Sequence, residues 1–202
     1  MTKFGVCLPL FAGSSAKTSE LNITEIINFA KKSEELDYSS LWGADHFHLG
    51  HEKGEHEIWT ILSMIAQQTK KIRMGPLVLG YSHRNPALLA KMTSTLDFLS
   101  SGRFDLGIGA GWYKEEQNAY GFDWIEKVGI RMDAFEEYIE IILNIFKDIP
   151  GVSEARRFTF GFTGLLQLAD HVSKMKFKGA DELAGYIRNI EAIVNRRKQV
   201  ID

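Results

Sequence analysis

The segment Ser40–Glu57 reads SLWGADHFHLGHEKGEHE and gathers His46, His48, His51 and His56 with the carboxylates of Asp45, Glu52, Glu55 and Glu57. Imidazoles and carboxylates at such density can hold a divalent metal, act as general acid and base, or line a solvated loop. His46-Phe47-His48 has the spacing that sets two imidazoles on one side of an extended strand. A catalytic metal centre built on that pair needs further protein ligands from elsewhere in the chain. The chain offers only His83 and His171, neither at a clear strand end, so no metal site is expected and His48, His51 and His56 are expected in a solvated loop. A second candidate is GIGAGWYKEE, where Gly107, Gly109 and Gly111 precede Trp112. Glycines at a strand end let a flat ligand or a phosphate approach the backbone, and their N–H groups can form an anion nest. The same residues also serve as a tight turn. A dinucleotide fingerprint needs a helix opening at its third glycine, whereas about sixteen residues separate Gly111 from the next helical pattern.

Both candidates need elements that bring them side by side. KFGVCLPL (Lys3 to Leu10), YSSLWGAD, IRMGPLVLG (Ile72 to Gly80) and FDLGIGAG are short apolar runs that read as buried strands. Helical periods alternate with them. NITEIINFAKKSEEL places Ile23, Ile26, Ile27, Ala30 and Leu36 on one face behind an Asn22/Glu25 capping box. EIWTILSMIAQQTKK carries Ile58, Leu62, Ile65 and Ala66, and NPALLAKMTSTLDFLSSG has Asn85 as N-cap, Pro86 at the first helical position and Gly102 to end it. GIRMDAFEEYIEIILNIFKD sets Ile130, Ala134, Phe135, Tyr138, Ile142, Ile145 and Phe146 on its apolar side. Four strand–helix units with little alternation in the strands predict a parallel sheet covered by helices. RRFTFGFTG is a possible fifth strand, followed by two further helices, and no linker divides the chain, so residues 1–202 are expected as a single domain. In such sheets chemistry collects at the carboxyl ends of the strands, where His46 and the glycine turn both fall.

Composition narrows the partners. A net charge of −2 gives no reason to expect a nucleic-acid backbone or an anionic membrane. Cys7 is the sole cysteine, which excludes an internal disulfide and a thiolate cluster. No run approaches the length of a membrane span. A cytoplasmic protein with a small-molecule ligand is expected.

Assembled in order, LDYSSLWGADHF, KIRMGPLVLGYSHRNPALLAKMTSTLDFLSSGRFDLGIGAGWYKEEQNAYGF and GIRMDAFEEYIEIILNIF resemble the bacterial-luciferase-like (luciferase-like monooxygenase) oxidoreductases. SHRNPALLAK and GIGAGWYKEE bring the similarity nearest to the deazaflavin (coenzyme F-420)-dependent members. The resemblance covers residues 1–148 well and 149–202 poorly. It implies an α/β TIM-barrel-like fold with FMN or the deazaflavin at the strand ends. It also implies a functional histidine at His46, catalytic in role, beside Asp45, which is expected either to orient the imidazole or to serve as a buried strand-end hydrogen-bonding residue. A non-prolyl cis peptide is implied within Pro76, Leu77, Val78 and Leu79, and a cofactor turn at Gly109, Ala110, Gly111 and Trp112. Related sugar-phosphate dehydrogenases carry a glutamate where this chain has Trp112, so an acid is missing there. Glu115 and Glu116 are expected as solvent-exposed charges, with an approach of either to the site from the loop as the alternative.

A closed barrel of this type takes about 250 residues, and sequence for the last two strands is lacking, so an incomplete barrel is expected. Phe162 stands where the family's phosphate turn has a second glycine. Uncovered edges and lumen then call for a homo-oligomer, most simply a dimer, with Leu183, Ile187, Ile190 and Val194 as a packing stripe. The expected function is hydride transfer to, or monooxygenation of, a small organic substrate. The alternatives are a non-catalytic flavin-binding or interaction protein derived from the family and a metal-dependent hydrolase.

Overall fold

The structure, a computed structural model, describes residues 3–10, 22–48 and 56–148. The chain divides into two units, Met1–Phe160 and Gly161–Asp202, and every described residue lies in the first. The possible strand at RRFTFGFTG, the last two helices with Leu183 to Val194, and His51 and His171 lie outside the described residues.

The described elements alternate as expected. β1 (Gly5–Cys7) leads to α1 (Ile23–Glu35), β2 (Ser40–Gly43) to α2 (Ile58–Gln68), and β3 (Arg73–Pro76) with its continuation β4 (Leu79–Gly80) to α3 (Pro86–Leu99). β5 (Ile108–Gly109) is followed by a short α4 (Lys114–Ala119) and the long α5 (Val128–Asp148). β1, β2 and β3 pair in parallel in chain order, with Val6 opposite Leu41 and Leu41 opposite Met74. β4 pairs in parallel with β5. A parallel bridge between Met74 and Phe104 joins the two ladders into one succession. Strand order therefore follows chain order, with no reversal among the described residues. That is the order of a barrel wall, where each strand lies beside the next, and not of a doubly wound sheet with a switch point.

Local chemistry sets the helix ends. Asn22 and Glu25 form the capping box of α1, and Asn85 Oδ1 accepts from the N–H groups of Ala87 and Leu88 with Pro86 just inside the helix. α3 stops where Ser101 and Gly102 turn into positive φ (57° and 81°), a conformation glycine adopts without strain. Glu57 caps α2, accepting from the N–H groups of Trp59 and Thr60.

The core lies between the strands and the helices. Leu41 and Met74 from the sheet meet Ile26 and Ala30 of α1, Ile58, Leu62 and Ile65 of α2, Leu89 of α3, and Tyr138 and Ile142 of α5. Three expectations fail at helix ends: Ile23 in the first turn of α1, Leu36 at its C-cap and Ile130 in the first turn of α5 are 47%, 61% and 52% exposed. Strand one is also shorter than Lys3–Leu10, although Leu8 continues its pairing by donating to Trp42 O at 2.7 Å.

The strands pack closely enough that glycine is required between them. A Cβ on Gly75 would fall 2.1 Å from the carbonyl oxygen of Asp105. One on Gly43 would fall 2.2 Å from Ile58 Cδ1. No described helix is long and apolar enough to cross a membrane.

Candidate active site at the strand ends

His46 lies three residues past the end of β2, with its side chain 16% exposed. Its Nδ1 is 3.0 Å from Glu116 Oε2 and 3.3 Å from Oε1. The same carboxylate accepts from the backbone N–H of Phe47 at 2.6 Å and of His48 at 3.2 Å. Glu116 is 1% exposed, so the expectation of a solvent-exposed charge is wrong. The reason is α4: this short helix turns the chain back after Tyr113 and carries residues 116 and 117 inward. Burial pushes the Glu116 carboxyl up, but the bond and charge of His46 and the two backbone N–H groups outweigh it and hold the group below the ordinary glutamate range. A carboxylate thus reaches His46 from four residues after Trp112. An all-polar KEEQNA has no apolar period to reveal this, and the signal available was only the tight return implied by Gly111 and Gly121 on either side, both at positive φ.

Asp45 makes no hydrogen bond to His46. Consecutive residues of an extended segment project to opposite sides, and Asp45, 4% exposed, turns into a second cluster. It accepts from Gly80 N at 3.1 Å, from Arg84 through both guanidinium nitrogens at 2.8 Å, and from His83 Nδ1 at 3.0 Å. Arg84 also donates to Glu57 at 2.5 Å. Burial raises the Asp45 carboxyl, yet His83 and Arg84 together bring it below the ordinary aspartate range. Arg84 stays charged, raised by its two carboxylates against the cost of burial.

His83, expected away from a strand end, follows β4 directly in a 3-10 turn, and its side chain is 3% exposed. Glycine at 80 allows this, since a Cβ there would lie 2.7 Å from the imidazole. The ring stacks on Phe122 at 5.0 Å, and Gln117 Nε2 lies 2.7 Å from its Nε2. With Ser82 donating to Gln117 Oε1 at 2.6 Å, a single assignment satisfies every group: Gln117 donates to Nε2 and His83 Nδ1–H donates to Asp45. His48 is also not a loop side chain in water. It is half-buried, its ring 5.7 Å from Tyr113 and 5.8 Å from Tyr120. His56 is exposed, as expected.

The cis peptide is Leu77–Val78, within the segment Pro76 to Leu79. Leu77 N donates to Gly43 O and Leu79 N to Gly107 O, so this segment is held between the ends of β2 and β5. After β5, Gly109 and Ala110 lead to Gly111 at φ 73°, where an added Cβ would meet nothing nearer than Gln117 Nε2 at 4.0 Å. Trp112 is half-exposed, stacks on Tyr113 at 5.3 Å and meets the His46 ring edge-on at 5.7 Å. The glycine turn and the imidazole therefore lie side by side. Among the described residues no group of three His, Cys, Asp or Glu side chains is placed to hold a metal ion.

Residues 2–171 match the family model described as luciferase-like monooxygenase. The F420-dependent glucose-6-phosphate dehydrogenase of Amycolatopsis mediterranei is 32% identical over 120 residues, 58% of this chain and 36% of the relative. The 5,10-methylenetetrahydromethanopterin reductase of Archaeoglobus fulgidus is 32% identical over 123 residues, 61% of this chain and 34% of the relative. The chain spans about a third of the length of these curated relatives. Among solved structures, an F420-dependent secondary alcohol dehydrogenase in complex with an F420-acetone adduct aligns with a TM-score of 0.61 at 23% identity, over 72% of this chain and 42% of that one. The oxygenating constituent of 3,6-diketocamphane monooxygenase from Pseudomonas putida, in complex with FMN, aligns with a TM-score of 0.59 at 26% identity, over 73% and 40%. With the strand order above, these likenesses give the chain a TIM-barrel-like fold.

Proposed function

The chain belongs to the luciferase-like monooxygenase family, and from that premise we propose that it is an oxidoreductase working with bound deazaflavin F420 or FMN on a small organic substrate. The observation that supports this most is the placement of His46: Nδ1 is engaged by Glu116, while Nε2 has no hydrogen-bond partner among the described residues and the ring lies edge-on to Trp112 of the glycine turn.

The residues present suit a planar ring. A Cβ on Gly111 would meet only Gln117 Nε2, at 4.0 Å, and the N–H groups of Gly111 and Trp112 carry no hydrogen bond among the described residues. Gly109, Ala110, Gly111 and Trp112 on one side and Pro76, Leu77, Val78 and Leu79 on the other would hold the ring. Such a cofactor supplies hydride transfer or oxygen activation when bound. The protein's part is to orient the substrate, exclude water and move a proton. His46 Nε2 is the nitrogen available to accept or give that proton at a substrate oxygen. Trp112 and Tyr113 stand beside the imidazole. Asp45 and His83, both buried with their polar atoms occupied, hold the loop after β2 against the end of β4.

The test is incubation of the purified chain with FMN and with F420 in turn, desalting, and then absorbance and chromatography of any ligand released by denaturation. Retention of one of the two in stoichiometric amount is expected. Retention of neither by a folded chain, or stoichiometric zinc with activity lost on chelation, would overturn the proposal.

A further inference from the structure

We infer that Glu116 is the positioning residue for His46, holding the imidazole in the tautomer whose proton lies on Nδ1 so that the outward Nε2 is an acceptor. The inference rests on the reading that His46 works at a cofactor site, and it adds which nitrogen carries the proton and which residue decides it.

Three donors converge on one carboxylate. Phe47 N–H at 2.6 Å and His48 N–H at 3.2 Å are backbone groups that can only donate, and both point to Oε1. Oε2 faces His46 Nδ1 at 3.0 Å. The carboxylate is 1% exposed and held ionised, and an ionised carboxylate is acceptor-only. Nδ1 must then be the donor, and the ring's second nitrogen keeps its lone pair when neutral. His83 Nε2 is 4.0 Å from the same Oε2, beyond hydrogen-bond distance, and is already filled by Gln117. The contact of Glu116 with His46 therefore has no competitor on that oxygen among the described residues. A carboxylate behind an imidazole fixes both tautomer and ring orientation.

The arrangement makes Glu116→Gln a tautomer switch. The glutamine carbonyl oxygen is the acceptor that the N–H groups of Phe47 and His48 require, which turns its NH2 toward His46 Nδ1. An amide donor facing Nδ1 moves the ring proton to Nε2, and the outward nitrogen becomes a donor. Glu116→Asp keeps the acceptor-only chemistry and should keep the Nδ1–H form.

The experiment is long-range proton–nitrogen correlation NMR of the full chain carrying nitrogen-15 histidine, with His46 assigned by its loss in His46→Ala. For neutral His46 the wild type and Glu116→Asp should show Nδ1 protonated and Nε2 unprotonated, and Glu116→Gln the reverse. A wild-type ring protonated on Nε2 overturns the inference even if Glu116→Gln does not fold. An unchanged tautomer in a folded Glu116→Gln chain also overturns it. Because no cofactor is needed, the outcome is independent of the functional proposal. A switch in a chain that retains neither F420 nor FMN would leave the positioning role standing while that proposal fell.

Discussion

Glu116 Oε2 and His46 Nδ1 lie 3.0 Å apart across 70 positions of sequence, and the bond joins α4 to the loop after β2. Since its second oxygen holds the N–H groups of Phe47 and His48, one buried carboxylate fixes both the backbone and the imidazole of the candidate site.

That carboxylate predicts a pH dependence. Its native pKa lies below the ordinary value, so the unfolded state binds its proton first as pH falls. The stability it contributes is complete above the unfolded value of about 4.3 and is lost as pH falls through the lower native value. Asp45, Glu57 and Glu34 share this sign, so the wild type as a whole weakens in acid. Urea midpoints from about pH 6 downward should fall less steeply for Glu116→Gln than for the wild type. Parallel curves would mean that Glu116 is not held ionised by the fold.

His46→Ala should lower turnover on the order of a hundredfold or more, the usual contribution of a general acid or base. His56→Ala, at an exposed position, should leave it unchanged. Steady-state rates of the cofactor-loaded chain decide this, and equal losses would remove His46 from the chemistry.

Asp45→Ala strips a buried guanidinium and a buried imidazole of their shared acceptor. Arg84 would keep Glu57 alone, and His83 Nδ1–H would lose its partner. Breaking one side of a buried ion pair costs roughly 3–5 kcal/mol, and denaturant unfolding should show a loss of that size. A loss of only a few tenths would show that the cluster is open to water.

Gly75→Ala would put a methyl group 2.1 Å from the Asp105 carbonyl oxygen, a backbone atom that cannot swing aside. Overpacking of this kind costs about 1–3 kcal/mol, and because it separates β3 from the 104–105 segment the upper end is expected. Thermal unfolding would measure it.

What the sequence revealed and what it concealed follow from the range of the interactions. The caps at Asn22 and Asn85 were legible because N-cap and helix are two or three residues apart. The placement of His46 and of the glycine turn at strand ends followed from counting alternating elements, while residues 76 to 79 were singled out by the family resemblance. KEEQNA looks like a solvated face, so the approach of Glu116 to the site was legible only as an alternative, and the fold brings it to residues 46 to 48. His83 and Arg84 were hidden in the same way: Asp45 was legible as a strand-end hydrogen-bonding residue, but not which side chains would reach it. Glu34 likewise reads as a helix surface charge, yet it accepts the N–H groups of Lys70, Lys71 and Ile72.

The central claim is that the strand-end site beside His46 receives a flavin-type ring. Calorimetric titration of the full chain with F420 and with FMN, in the presence of a metal chelator, tests it most directly. Saturable heat with one of the two at one site per chain, unaffected by the chelator, is the predicted result. A chain that unfolds cooperatively but gives no heat with either cofactor would contradict it.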